Sequence, residues 1–306
     1  MSSLVNKNKL TKEVNNFGSM QKKELLLMKN NSNSKDQILL VKEGSEFIIQ
    51  KNWVNVERGF RSIKKQIEFD EIRIKGLIIR SPKVFSTQRV SEKEFIAKME
   101  YIDGFAGQDI VNNGSRKISL SLKNAFSMII NNQLENSVLE KVSINIFLEK
   151  IDSILISSKF KDIFSNKINL LREKFARYQY IEIPIGPCHG DLTLSNVIVS
   201  STGSLNLIDF LPTFVESPLW DIVKLNQDLK NGWSYRNLNG PSKASAKLFF
   251  KSCIPKQLEI YKKVWNNQIS LLNALNFARI TPYIKDNITK EWVDKNFSKA
   301  LLRLNN

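Results

Sequence analysis

The chain has 306 residues, 42% of them hydrophobic and 25% charged, with 12 glycines and 8 prolines. That length buries a substantial core, and the composition excludes a fibrous or low-complexity protein. The 46 Lys and Arg against 30 Asp and Glu give a formal charge of +16, but the basic residues are spread along the chain, so nucleic acid is not an expected partner and only weak contact with an anionic surface is left open.

Residues 1–22 are polar and basic without sustained periodicity, which predicts a flexible arm or a short leading helix. No stretch reaches the roughly 18 apolar residues of a membrane span. No apolar run of signal-peptide length follows the N-terminus, and only Cys188 and Cys253 occur, which fits a reducing cytoplasm.

From Lys23 onward, short strand-type runs at 24–28, 37–41 and 46–50 predict an antiparallel meander, the last two joined by the turn-like Lys42-Glu43-Gly44-Ser45. The polar loop Asn30-Asn31-Ser32-Asn33-Ser34 separates the first two. Phe60, Ile63, Ile67, Ile72 and Ile74, set among charged neighbours, predict an amphipathic helix over 59–75 that turns at Gly76. Strands follow at 81–85 and 95–102, and Asp103-Gly104 marks a domain boundary. Beyond it the pattern is helical near 119–134, 143–157, 159–178, 218–230, 243–266 and 290–304. Residues 184–210 are the exception: apolar runs at 197–199 and 205–208 flank Ser200-Ser201-Thr202-Gly203-Ser204, a β-hairpin with a longer loop.

That hairpin carries the chemistry. His189-Gly190-Asp191-Leu192-Thr193-Leu194-Ser195-Asn196 matches the pattern His-x-Asp-x-x-x-x-Asn, and Asp209-Phe210-Leu211 stands where kinases have Asp-Phe-Gly. Phosphoryl transfer needs a carboxylate near the incoming hydroxyl and two hard oxygen ligands for Mg²⁺ beside the triphosphate. One loop supplies Asp191 and Asn196, and the returning strand supplies Asp209.

With these motifs, residues 23 to about 230 resemble the aminoglycoside phosphotransferase and choline kinase group of the protein-kinase-like superfamily. Together with the downstream Phe214-Val215-Glu216-Ser217-Pro218-Leu219-Trp220-Asp221-Ile222, the loop is similar to uncharacterised members found with bacterial capsule and surface-polysaccharide genes. The resemblance implies a two-lobed α+β fold, with a small β-rich nucleotide-binding lobe over 23–102 and a larger helical lobe over 103–306. It also implies Mg²⁺-dependent transfer of the γ-phosphoryl group of ATP or GTP to a hydroxyl of a sugar, polyol or amino alcohol.

Carried over by motif, Asp191 would take the acceptor's proton, and Asn196 with Asp209 would hold Mg²⁺. Lys51 would meet the α- and β-phosphates with Glu68 as its partner and Glu71 in reserve. The main chain of Glu100 and Ile102 would meet the adenine edge, and Ser32, Asn33 and Ser34 would cover the phosphates. The sequence lacks a Gly-x-Gly-x-x-Gly loop and an Ala-Pro-Glu segment, which favours a metabolite over a protein as acceptor.

His189 is the only histidine, too few for a zinc site or a Ser-His-Asp system, and it reads as a brace for the loop. Asp221 reads equally as a helix cap and as a brace, and Trp220, Trp233 and Trp265 as packing. Two other functions fit parts of the sequence: a catalytically silent nucleotide-binding regulator, and a basic scaffold on nucleic acid or membrane.

Overall fold

The computed structural model describes residues 24–27, 36–74, 76–112 and 114–304; the expected arm 1–22 and the loop with Ser32, Asn33 and Ser34 lie outside the described residues. The chain divides into two compact units, one ending at Asp70 and resuming over Ser81–Asp103, the other formed by Glu71–Arg80 and everything from Gly104 on. The chain thus crosses between units at Asp103-Gly104, but residues 71–80 belong to the second unit, against the expectation that they continue the first.

The first unit is an antiparallel five-stranded sheet. Its strands are β1 (Glu24–Leu27), β2 (Gln37–Glu43), β3 (Glu46–Trp53), β6 (Val84–Ser91) and β7 (Glu94–Glu100), in the order β1-β2-β3-β7-β6. One helix, α1 (Val56–Ile67), covers a face of it. Asn55 starts this helix by accepting the Arg58 N–H at 2.8 Å. Period-2 alternation puts Ile49, Lys51 and Trp53 of β3 on the same face as Met99, Ala97 and Phe95 of β7, their register partners. Trp53, Ile63, Phe95, Ala97 and Met99 form the unit's core. The expected helix over 59–75 therefore ends early. Ile72 and Ile74 are spaced by two and lie on β4 (Ile72–Ile74), which hairpins onto β5 (Leu77–Arg80). Their spacing suits a strand as well as a helix.

The second unit combines a five-stranded sheet with a helical body. The sheet runs β4-β5-β12-β11-β8, where β8 is Gly104–Ala106 and the expected hairpin forms β11 (Val197–Ser200) and β12 (Leu205–Leu207). A separate antiparallel pair joins β9 (Val138–Ser143) to β10 (Tyr180–Ile185). Helices α2 (Gln108–Asn112), α3 (Arg116–Glu135), α4 (Ile144–Ser157), α5 (Lys161–Phe175), α6 (Pro218–Leu225), α7 (Gly240–Ser252), α8 (Gln257–Val264), α9 (Asn266–Ala278) and α10 (Asn287–Leu302) surround a core with Phe126, Phe147, Phe164, Trp220, Phe250, Phe277 and Phe297 fully buried.

The helix expected over 243–266 is two helices, because Pro255, lacking an N–H, falls between them. Sequence periodicity missed α9 altogether. Ile269, Leu271, Leu272, Ala274, Leu275 and Phe277 bury nearly all its sides, so no polar stripe marks it. Among the described residues no helix is long and apolar enough to cross a membrane.

Candidate active site

The loop at 189–196 is held in place by carboxylates from the element that follows it. Ser217 caps α6 by accepting the Leu219 N–H at 3.3 Å, which leaves Asp221 for another task. Asp221, fully buried, accepts the His189 N–H at 2.6 Å, the Gly190 N–H at 2.8 Å and the Gln133 side-chain amide at 2.9 Å. It is the brace, not the cap.

After Leu225 the helix widens into one π-type turn over Asn226–Lys230, a feature often found where a side chain is re-aimed. That turn carries Asp228, also fully buried, which accepts the Leu194 N–H at 2.6 Å and the Ser234 N–H at 3.0 Å. Burial pushes the Asp228 carboxyl up, and these two donors oppose the shift. The His189, Gly190 and Leu194 N–H groups of the loop thus end on two buried carboxylates, and a change in either is felt along the loop.

His189 works from inside the loop. Its Nε2 lies 2.8 Å from the Ile208 carbonyl and its Nδ1 accepts the Asp191 N–H at 3.2 Å, which selects the tautomer protonated at Nε2. The Leu211 N–H donates to the His189 carbonyl at 2.9 Å, and the His189 and Phe210 rings lie 4.4 Å apart. Gly190 sits at φ +85, and a Cβ there would lie 2.2 Å from the Leu211 carbonyl oxygen. Only glycine lets the two segments approach this closely.

Asp191 and Asn196 are in contact, and Asp209 follows the strand that pairs with the one after Asn196. The Asn196 amide Nδ2 donates to the Asp191 carbonyl at 2.8 Å and to Asp191 Oδ2 at 3.0 Å. The Ile208 N–H donates to the Asn196 carbonyl at 3.0 Å, so Asp209 stands one residue on, across the mouth of the hairpin. Asp209 takes a left-handed conformation, φ 61, which aspartate adopts more readily than most residues.

Both Nδ2 contacts of Asn196 face Asp191, which leaves its Oδ1 as the group to meet a cation. An amide oxygen and a carboxylate are the hard ligands Mg²⁺ takes alongside phosphate oxygens and water, so the pair fits that ion. Among the described residues no cluster of three or more His, Cys, Asp or Glu could hold a metal unaided.

Asp191 has a further partner that sequence reasoning missed. Lys224 Nζ lies 3.0 Å from Asp191 Oδ1, with the two side chains only 13% and 27% exposed. Burial would push the Asp191 carboxyl up, but the Lys224 ammonium and the Asn196 amide outweigh it and hold the group below the usual carboxylate range. The missed residues had a signal. Asp221, Lys224 and Asp228 are spaced by three and four, one helical face, among Leu219, Trp220, Ile222, Val223, Leu225 and Leu229.

In the first unit Lys51 lies on the α1-covered face of β3, its Nζ 4.9 Å above the Trp53 ring. Glu68 does not meet it: it ends α1, its side chain is 61% exposed and lies 3.7 Å from Lys64. The reserve candidate Glu71 falls in the second unit and pairs with Arg73. The polar residues on the buried face of α1 are Ser62 and Gln66, the latter donating its Nε2 to the Pro82 carbonyl at 2.8 Å. Glu100 closes β7 with its carboxylate on the Lys83 N–H at 3.1 Å, and Ile102 is buried just beyond.

No protein-family model and no curated protein sequence matches the chain. Solved structures match it. Aminoglycoside phosphotransferase APH(4)-Ia aligns over 92% of this chain and 93% of its own at TM-score 0.58 and 10% identity. A thermostable mutant of it, in ternary complex with ADP and hygromycin B, aligns over 92% and 94% at TM-score 0.57 and 10% identity. Choline kinase LicA from Streptococcus pneumoniae aligns over 93% of each chain at TM-score 0.52 and 16% identity. The fold is the α+β protein-kinase-like fold that these phosphotransferases share, with a small β-rich unit and a larger helical one.

Proposed function

We propose that the chain is a small-molecule kinase that moves the γ-phosphoryl group of ATP or GTP, with Mg²⁺, onto a hydroxyl. The observation that carries this reading is the ionised Asp191 carboxylate fixed beside Asn196, with Asp209 returned across the same hairpin. A hydroxyl that meets Asp191 gives its proton to the carboxylate as its oxygen forms the new bond to phosphorus, while the bond to the nucleoside diphosphate breaks. Asn196 and Asp209 would hold Mg²⁺, which when bound neutralises phosphate charge.

Lys51 would meet the α- and β-phosphates, and the main chain at Glu100 and Ile102 the adenine edge. With Glu68 turned to Lys64, Gln66 is the α1 residue placed to support this face. A part in surface-polysaccharide metabolism follows from the family resemblance, and a cytoplasmic setting from the low cysteine content. The test is transfer of labelled γ-phosphate from Mg-ATP to pooled hydroxyl compounds by wild type and Asp191→Ala. Label on a pool with wild type alone supports the kinase; binding of Mg-ATP by both proteins with no transfer to any pool replaces it with a silent regulator.

A further inference from the structure

Next to Asp191 the second unit gathers positive charge that the transfer chemistry leaves unused. Lys224 stands 3.0 Å from its carboxylate. The missed helix α9 ends at Arg279, whose guanidinium carbon lies 5.0 Å above the ring of Trp220 on α6. Arg279 Nη1 is buried and has no hydrogen-bond partner, and neither has the buried Nε1 of Trp220. Burial pushes the Arg279 guanidinium down, and the neighbouring Asp191 and Tyr283 oppose that shift. Lys150 is pushed down as well, by burial and then by repulsion from Arg279.

Asp191 acts on both Lys224 and Arg279. Asp228 is close in charge terms, but its oxygens are occupied by the Leu194 and Ser234 N–H groups. A guanidinium N–H buried without an acceptor is costly to keep. A bound oxyanion would supply that acceptor through charge-assisted hydrogen bonds.

We propose that the acceptor is itself anionic: a hydroxyl compound bearing a phosphate or carboxylate group, received by Arg279 and Lys224 beside Asp191. This rests on the kinase reading. Lys224 then has two partners, the catalytic carboxylate and the acceptor's anion, and so aligns the hydroxyl with Asp191. A polycationic acceptor would meet repulsion at the same place.

The test offers Mg-ATP with labelled γ-phosphate to four separate acceptor pools: phosphorylated sugars and polyols, hydroxy acids, neutral sugars and polyols, and amino alcohols with aminosugars. Wild type, Arg279→Gln and Arg279→Lys are compared, each checked for a native thermal transition. Binding of inorganic phosphate to the same three proteins is measured by calorimetry without nucleotide.

We expect label in one of the first two pools, which also tells phosphate from carboxylate. Arg279→Gln should raise KM for that acceptor about tenfold or more with a much smaller change in kcat, and Arg279→Lys should recover part of the loss. Label only in the neutral or cationic pools overturns the anionic acceptor and leaves the kinase standing. An equal loss for all acceptors, with a lowered melting temperature, makes Arg279 a packing residue and overturns it too. Absence of label everywhere, with phosphate binding that Arg279→Gln abolishes, would sink the kinase reading and keep the anion site. Absence of both refutes the two together.

Discussion

Each of the two units is stabilised internally in its own way. In the first, Lys51 sits in an ordinary antiparallel sheet whose core is five apolar residues under one helix. In the second, the loop at 189–196 is tied by buried polar groups: Asp221 takes three donors, Asp228 two, and His189 spans to Ile208. Hydrophobic packing tolerates change if volume is kept, whereas a buried carboxylate that loses its donors, or donors that lose it, bear the full desolvation cost. Errors in the first unit should therefore degrade affinity gradually, and errors behind the loop should remove function and stability together.

The largest effect expected is on rate. Asp191→Ala should cut transfer by about 10²- to 10⁴-fold with the fold intact, while Lys51→Ala should act chiefly on the KM for nucleotide; steady-state kinetics on both variants separates the two. Next comes stability. Asp221→Ala strands the His189, Gly190 and Gln133 donors, and chemical denaturation should show a loss of about 3–5 kcal/mol. Asp36 is the matching buried carboxylate of the first unit, accepting the Val54 N–H at 3.2 Å, and its alanine variant should lose about 1–3 kcal/mol. Equal losses would erase the contrast between the units.

Glycines sharpen it further. Gly44 turns between β2 and β3 at φ +65 with open space around a would-be Cβ, whereas at Gly190 the Cβ meets the Leu211 oxygen at 2.2 Å. Gly44→Ala should cost about 1–2 kcal/mol from the backbone alone. Gly190→Ala must also move the Leu211 strap, so it should melt lower still and lose activity that Gly44→Ala keeps.

The effect of pH is smaller and has a definite sign. Asp191 titrates below the usual carboxylate range when folded, so its ionised form, and the stability it brings, is present above the unfolded value and is lost as pH falls through the lowered folded one. Lys224→Met removes the main opposing charge, and the acid limb of the kcat/KM profile should move to higher pH. Asp228 has the opposite sign: its raised folded value means its contribution is held below the unfolded value and lost as pH rises through the folded one. Smallest of all is thiol reactivity. Burial pushes the Cys253 thiol up to about 12, so at pH 8 it should react with a disulfide reagent only after unfolding; prompt reaction in the native protein would show the helical unit opening locally.

What the sequence showed followed the range of the interactions involved. The hairpin was legible because one short segment encodes both of its strands and their turn, and the Asp191–Asn196 contact because both residues lie in one short loop. The meander was legible from alternation, and the chain crossing from Asp103-Gly104. Glu68 was misplaced because helix phase was counted from a helix expected to run to residue 75; the true helix ends at Ile67 and turns Gln66 inward. Helix α9 escaped because its burial leaves no amphipathic stripe, and Arg279 escaped with it. Lys224 and Asp228 required knowing that α6 packs behind the loop, although their spacing from Asp221 was there to be counted. The parallel pairing of β5 with β12 joins residues more than a hundred positions apart, which no local pattern announces.

The most direct test of the central claim is phosphorus NMR of the protein with Mg-ATP and the acceptor pools, run beside Asp191→Asn. In wild type alone, the γ-phosphate signal should fall while a new phosphomonoester signal rises at the same rate. Wild type that binds Mg-ATP and leaves every pool unchanged, or a variant that makes the same product at the same rate, would contradict it.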